Sequence, residues 1–168
     1  MSVEVKVTGF VDADFPGDVT TERSQSGYVF QHCGEPINWV SNIQAIVALS
    51  AIEAEYVAAA FVTRELLWLR KLLHELGFVQ HSASVLLADN KALSKYHRNP
   101  KFHCRLKHMD MRHHFLHDAV EAGTLLFKYC ETGDWIADIM MKGLMLRSFH
   151  EFTTGEKAFH SCRELVNS

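Results

Sequence analysis

The change of period near Ser50 constrains this chain more than any other feature of its sequence. From Ala51 to Leu76 there is no glycine or proline, the composition is rich in Ala, Leu and Glu, and the run stops at Gly77, a natural residue to follow a helix C-terminus. One long helix, or two with a kink, is expected there. Before it the period is two: Val3, Val5, Val7 and Gly9 to Val11 alternate into Asp12, and Gly27 to His32 and Ile37 to Val40 are aromatic and β-branched runs joined by Cys33-Gly34-Glu35-Pro36. The first stretch reads as a strand ending at Asp12, and the next two as a hairpin continuing it. After the long helix, Val85 to Ala88 is a short apolar run, hence a buried strand that delivers Asp89 at its end. Helical segments at Lys91 to His97 and Lys107 to Ala122, a strand at Leu125 to Tyr129 and a helix from about Trp135 complete the order βββ-α-β-α-α-β-α. That order predicts a mixed sheet with helices packed on its faces.

The 168 residues, 48% of them apolar, suit one domain with a core of its own. Cys33, Cys104, Cys130 and Cys162 form no CxxC pair, which excludes the usual zinc spacing and a disulfide framework and reads as reduced thiols. No apolar run approaches the roughly 18 to 20 residues that cross a bilayer, and MSVEVKV lacks a charged leader before an apolar stretch. These features predict an intracellular chain with no membrane partner.

Asp12 and Asp89 at strand ends, with Glu55 and Asp138 on helices, are oxygen donors of the kind that hard divalent cations prefer. With two cations about 4 Å apart, such a cluster serves in-line phosphoryl transfer. Spacing does not establish this by itself, because the chain has 20 acidic residues and an acid at a strand end is most often a turn residue.

The wording around the acids is more specific. Asp12-Ala13-Asp14-Phe15-Pro16-Gly17-Asp18, Ser24-Gln25-Ser26-Gly27-Tyr28-Val29-Phe30 and Val47-Ala48-Leu49-Ser50 leading to Glu53-Ala54-Glu55-Tyr56 are followed by Ala88-Asp89-Asn90-Lys91. Then come Lys107-His108-Met109-Asp110-Met111-Arg112-His113-His114-Phe115 and Ile136-Ala137-Asp138-Ile139 with Lys142. In this order and spacing the motifs resemble the ribonuclease H domain of copia-type LTR retrotransposon Pol polyproteins, over roughly residues 7 to 144.

The resemblance implies an α/β chain of the ribonuclease H-like fold, a mixed five-stranded sheet with helices on both faces. It places the domain at residues 1–145, with 146–168 a divergent helical extension. It further implies a catalytic and metal set of Asp12, Glu55, Asp89 and Asp138, two Mg2+ or Mn2+ ions, and endonucleolytic hydrolysis of the RNA strand of an RNA/DNA hybrid during reverse transcription. The products would carry a 5′-phosphate and a 3′-hydroxyl. The implied partners are the hybrid and the reverse transcriptase domain of the parent polyprotein, in a cytoplasmic virus-like particle or the nucleus.

Two choices follow from position. Glu53 and Glu55 point about 200° apart on a helix, so only one can face the metals. Glu55, followed by Tyr56-Val57-Ala58, matches the motif, and Glu53 is then a first-turn acid favoured by the helix dipole. Asp14 would share the face of Asp12 if the strand continued that far, but Asp12 directly follows the apolar strand, and Asp14 and Asp18 are expected to organise the next turn.

The net charge of -3 hides an uneven layout. Between Lys91 and His114 stand Lys91, Lys95, Arg98, Lys101, Arg105, Lys107 and Arg112 against Asp110 alone, while the remainder holds 10 basic and 19 acidic residues. This sign bias favours phosphate contact over a merely solvated surface, and the first six are candidate nucleic-acid contacts. His97, His103, His108, His113 and His114, with Cys104 and with His117 four residues after His113, invite a zinc reading. No HExxH glutamate accompanies them, so packing, capping or phosphate contact is the better expectation. Tyr129-Cys130-Glu131-Thr132-Gly133-Asp134 holds no histidine where many ribonucleases H carry a mobile one, as in copia-type domains generally. Leu66, Leu69, Leu72, Leu73 and Leu76 read as core, and Trp39, Trp68 and Trp135 as core or rim.

Two other readings remain at this point. One is an inactive element-derived module that binds nucleic acid or a protein, in keeping with Ser41-Asn42-Ile43-Gln44 where the family has basic residues and Lys142-Gly143-Leu144 where it has Lys-Pro-Leu. The other, a DDE-type transposase or integrase, is opposed by the Ser-Gly-Tyr and Ala-Glu-Tyr contexts.

Overall fold

The computed structural model describes residues 6–15, 20–33, 35–89, 91–94 and 107–130. Within them the order is β1 (Val7–Asp14), β2 (Gln25–His32), β3 (Glu35–Ile43), α1 (Ala51–Glu75), β4 (Ser84–Ala88), α2 (Lys91–Ser94), α3 (Lys107–Glu121) and β5 (Leu125–Tyr129). The strands form one five-stranded sheet in the order β3-β2-β1-β4-β5. β2 is antiparallel to both β1 and β3, whereas β4 runs parallel to both β1 and β5, giving the expected mixed sheet. The helix expected from Trp135, which would carry Asp138, and the extension from residue 146 lie outside the described residues.

The long apolar run is a single helix because both ends are chemically marked. At its start the Ser50 side chain accepts from the Glu53 amide at 3.2 Å, and Glu53 Oε2 accepts from the Leu49 amide at 2.8 Å. The first bond satisfies an amide donor that the first turn leaves without a partner, and the second holds the residue before the N-cap against the helix start. At its end Gly77 adopts φ +89°, the Gly77 amide donates to the His74 carbonyl at 3.0 Å, and the Phe78 amide donates to the Leu73 carbonyl at 2.8 Å. These are the paired bonds of a Schellman stop, which needs the left-handed conformation that glycine adopts without penalty.

Ala58, Ala59, Val62, Leu66, Leu69 and Leu73 of α1 pack on Val7, Val11, Tyr28, Phe30 and Leu86 of the sheet, together with Leu116 and Ala119 of α3. Gly9 leaves room on the α1 face of the sheet for the side chains of its cross-strand partners, Phe30 of β2 and Leu86 of β4. A Cβ there would come within 2.4 Å of Leu86 Cδ2 and 2.7 Å of Phe30 Cε1. Alternation sends Phe10, Val29 and Leu87 to the other face, and they are buried too, so the sheet is covered on both sides. The far end of α1 is pinned by Arg70, whose guanidinium donates to the Ser82 carbonyl (3.0 Å), the Ser84 hydroxyl (2.7 Å) and the Gln80 carbonyl (2.9 Å) just before β4.

Several expectations are corrected. β1 does not stop at Asp12: Ala13 and Asp14 pair with Ser26 and Gln25, so the ladder carries the strand two residues further. β3 starts at Glu35 and includes Pro36, placed in the turn by the sequence reading. A proline is tolerated because β3 is an edge strand, and the register shifts between Phe30 and Gln31 where it pairs. Leu76 is exposed at the helix end, and Trp39 and Trp68 are 57% and 54% exposed, so neither indole is a core residue. Among the described residues no helix is long and apolar enough to cross a membrane.

Candidate metal centre

Parallel pairing of β1 and β4 brings the first two acids together. Val11 is the register partner of Ala88, so the residues that follow, Asp12 and Asp89, leave adjacent strands side by side, about 4.8 Å apart in backbone spacing. Asp12 Oδ1 accepts from the Ala13 amide at 2.8 Å, which fixes that carboxylate against its own backbone.

Glu55 arrives from α1, and its height over the sheet is set by Gln44. The Gln44 side-chain amide donates to Ser26 Oγ at 2.8 Å and to the Ala54 carbonyl at 2.9 Å, while its backbone amide donates to the Ser24 carbonyl at 2.8 Å. Ser26 pairs with Ala13, the neighbour of Asp12. One buried glutamine therefore ties the residue preceding Glu55 to the strand beside Asp12.

The result is that one carboxylate oxygen from each of Asp12, Glu55 and Asp89 lies within 4.8 Å of the others. Asp12 and Glu55 are only 7% and 8% exposed. Burial, then the charge of Asp12, then that of Asp89, push the Glu55 carboxyl from its ordinary 4.5 to about 8. Glu55 Oε2 is buried without a hydrogen-bond partner. A buried carboxylate oxygen facing two like charges is a poor structural device, but it suits a hard divalent cation, which supplies the missing positive partner. The donor set thus fits the oxygen-ligated centre expected from the sequence.

Asp138, the fourth expected ligand, lies outside the described residues. Glu53 is almost fully buried in its capping role and does not join the cluster. Asp14 shares the alternation of Asp12, as the longer strand requires, but sits two residues further along and is not one of the three converging acids.

Of the basic candidates, Lys91 opens α2 two residues after Asp89, exposed, with Nζ 5.1 Å from the Tyr129 ring centroid. Lys107 opens α3, with its side chain outside the described set, and Lys95, Arg98, Lys101 and Arg105 lie outside it altogether. The His113 ring lies 6.4 Å from that of Tyr56, whereas His117 Nδ1 sits 3.6 Å from Glu121 Oε2 and 3.8 Å from Asp118 Oδ1 on the outside of α3. The two histidines therefore have different surroundings, and His117, Asp118 and Glu121 form a second, more exposed group whose donor atoms lie within 4.8 Å of one another.

Gln44 is the residue that sequence reasoning missed. It registered only as part of a segment lacking the family's basic residues, and a single glutamine before Ala45-Ile46-Val47-Ala48 carries no signal of a buried bolt.

No family model matches the chain. Over 158 residues it is 34% identical to the retrovirus-related Pol polyprotein from transposon TNT 1-94 of Nicotiana tabacum, covering 94% of this chain and 11% of that protein. Over 144 residues it is 35% identical to the corresponding polyprotein from transposon RE2 of Arabidopsis thaliana, covering 86% and 10%. The chain spans about a tenth of the length of these relatives. Among solved structures it is similar to LC11-RNase H1 in complex with an RNA/DNA hybrid, with a TM-score of 0.61 and 13% identity over 86% of this chain and 99% of the other. It is also similar to RNase H1 of the halophilic archaeon Halobacterium salinarum, with a TM-score of 0.51 and 12% identity over 76% and 86%. At such identities the likeness is one of fold.

Proposed function

From a chain that has the ribonuclease H fold and is homologous to a segment of copia-type, retrovirus-related Pol polyproteins, we propose a nuclease that hydrolyses the RNA strand of RNA/DNA hybrids. In this reading Asp12, Glu55, Asp89 and Asp138 hold two Mg2+ or Mn2+ ions. The observation that carries it is the convergence of three carboxylates, one of which, Glu55, keeps a buried oxygen without a hydrogen-bond partner.

Bound there, divalent cations would activate the attacking water and stabilise the leaving 3′-oxygen of an in-line displacement. The protein's share is placement. Asp12 is held by its bond to the Ala13 amide, Asp89 directly follows β4, and Gln44 ties the residue before Glu55 to β2, which brings the donor oxygens together before substrate arrives. Burial and the charges of Asp12 and Asp89 raise the Glu55 carboxyl to about 8, so a cation held there would favour loss of its proton. Lys91 stands close to Asp89 and is suited to a substrate phosphate, with the basic residues up to Lys107 extending that surface in sequence. The hybrid and the reverse transcriptase domain of a parent polyprotein are the partners of this reading.

The test is cleavage of an end-labelled RNA/DNA hybrid with and without Mg2+. Cutting of the RNA strand that requires the metal and is abolished by Asp89→Asn is the expected result. A pure chain that binds the hybrid and never cuts it would leave only the binding-module reading.

A further inference from the structure

We propose that His117, Asp118 and Glu121, on the outer side of α3, form a second metal site, one that takes Zn2+ in preference to Mg2+. α3 turns Leu116 and Ala119 into the core. At about 100° per residue His117, Asp118 and Glu121 then lie on the side facing away from it, with the exposed His114 on the same stripe. The group shares no residue with the cluster of Asp12, Glu55 and Asp89. His117 Nδ1 is 3.6 Å from Glu121 Oε2 and 3.8 Å from Asp118 Oδ1. Those distances are too long for a hydrogen bond, which brings nitrogen and oxygen to about 2.7 to 3.2 Å. They are close to what two ligands of one tetrahedral zinc require: with each donor about 2.0 to 2.1 Å from the ion, neighbouring donors stand about 3.3 Å apart. The imidazole is thus set between two carboxylates at the spacing of co-ligands.

The place of these acids along the helix points the same way. The C-terminus of a helix carries partial negative charge, so acidic side chains in its last turn are unfavourable and cations are favoured. The last turn of α3 holds no basic residue, yet Asp118 and Glu121 stand there, both 76% exposed. Among the described residues the only charged group beside either carboxylate is His117. A divalent ion held by the three side chains supplies the missing positive charge and ties positions 117 and 121, one turn apart, across the helix end. The donors select the ion. An imidazole nitrogen suits zinc and its neighbours in the first transition row, whereas Mg2+ takes oxygen donors and keeps its water, so the all-carboxylate cluster and this one sort the two ions between them. Asp118 and Glu121 serve here as ligands, so the site needs no HExxH glutamate, which acts as a general base. His114, one turn before Asp118, can turn its ring to the fourth position, which water otherwise fills.

The experiment follows the imidazole resonances of the full chain by NMR while Zn2+ is added in the presence of excess Mg2+. The His117 signals, identified by their loss in His117→Gln, are expected to stay in place with Mg2+ alone and to shift and saturate with Zn2+, the Nδ1 nitrogen moving most. Asp118→Asn and Glu121→Gln change exposed positions and should keep the far-ultraviolet dichroism of the wild type. Each should weaken Zn2+ binding at His117 by at least about tenfold, since the loss of even an outer-shell partner of a metal ligand costs that much. Asp12→Asn should leave the Zn2+ titration of His117 unchanged, which separates this site from the carboxylate cluster. His117 signals that Zn2+ does not move would overturn the proposal. So would a titration that is as tight in Asp118→Asn and Glu121→Gln as in the wild type, because the imidazole would then be taking zinc without the two carboxylates. Cleavage of the hybrid does not enter the readout, so this result and the test of the nuclease reading stand apart.

Discussion

A carboxyl group buried beside two others costs stability unless it keeps its proton or meets a cation, and Glu55 is in that position. Its folded value of about 8 lies above the ordinary 4.5, so inside that window the folded chain retains a proton that the unfolded chain has released. Raising the pH through the window therefore favours unfolding, by at most about 1.4 kcal/mol per pH unit, and the loss levels off above the folded value. In EDTA the thermal midpoint should fall from about pH 5 to about pH 8, and Glu55→Gln should flatten that slope and raise the midpoint at the alkaline end. Mg2+ should raise the alkaline midpoint of the wild type more than that of Glu55→Gln, because the cation binds only the folded site. At this scale the sequence was informative where a motif supplied context: it separated Asp12 from Asp14 and Glu55 from Glu53, and the three described acids do converge. It was silent on Gln44, because a side chain that bonds Ser26 and Ala54 is defined by two distant backbones and by no local pattern.

Between elements, that glutamine ties α1 to the sheet, and Gly9 lets side chains of β2 and β4 close over β1. Gln44→Ala removes both side-chain bonds and leaves the Ser26 hydroxyl and the Ala54 carbonyl without that donor. The expected loss is about 1 to 3 kcal/mol in urea unfolding, with a weaker response to Mg2+ because Glu55 loses its anchor. Gly9→Ala drives a methyl into Leu86 and Phe30, and a similar loss of about 1 to 3 kcal/mol is expected, read as a lower denaturation midpoint. Period and punctuation made most elements readable. The helix from Ala51 and the strand Leu125–Tyr129 appear where the sequence placed them, the helix fixed by Ser50 and Gly77. What local pattern could not supply was pairing. Ala13 and Asp14 remain in β1, and Pro36 enters β3, only because β2 offers partners on both sides.

Across the whole molecule the charge is divided, with the basic excess confined to the stretch that follows the third acid. Hybrid affinity should therefore fall steeply with salt in spite of the net negative charge, and Lys91→Ala should reduce the slope of log K against log salt by about one. The mixed order of the sheet has a further consequence, this one for folding. Asp12 and Asp89 become neighbours only once β4 has come to lie parallel to β1, after β2, β3 and α1 have been traversed. Parallel pairing over so long a connection is the kind of contact that forms slowly, because the loop must close before any contact rewards it. A hairpin intermediate of β1, β2 and β3 would hold Asp12 alone. Cation affinity thus reports completion of the crossover, and in refolding experiments the Mg2+-dependent signal should appear last, after the far-ultraviolet dichroism of the helices has recovered.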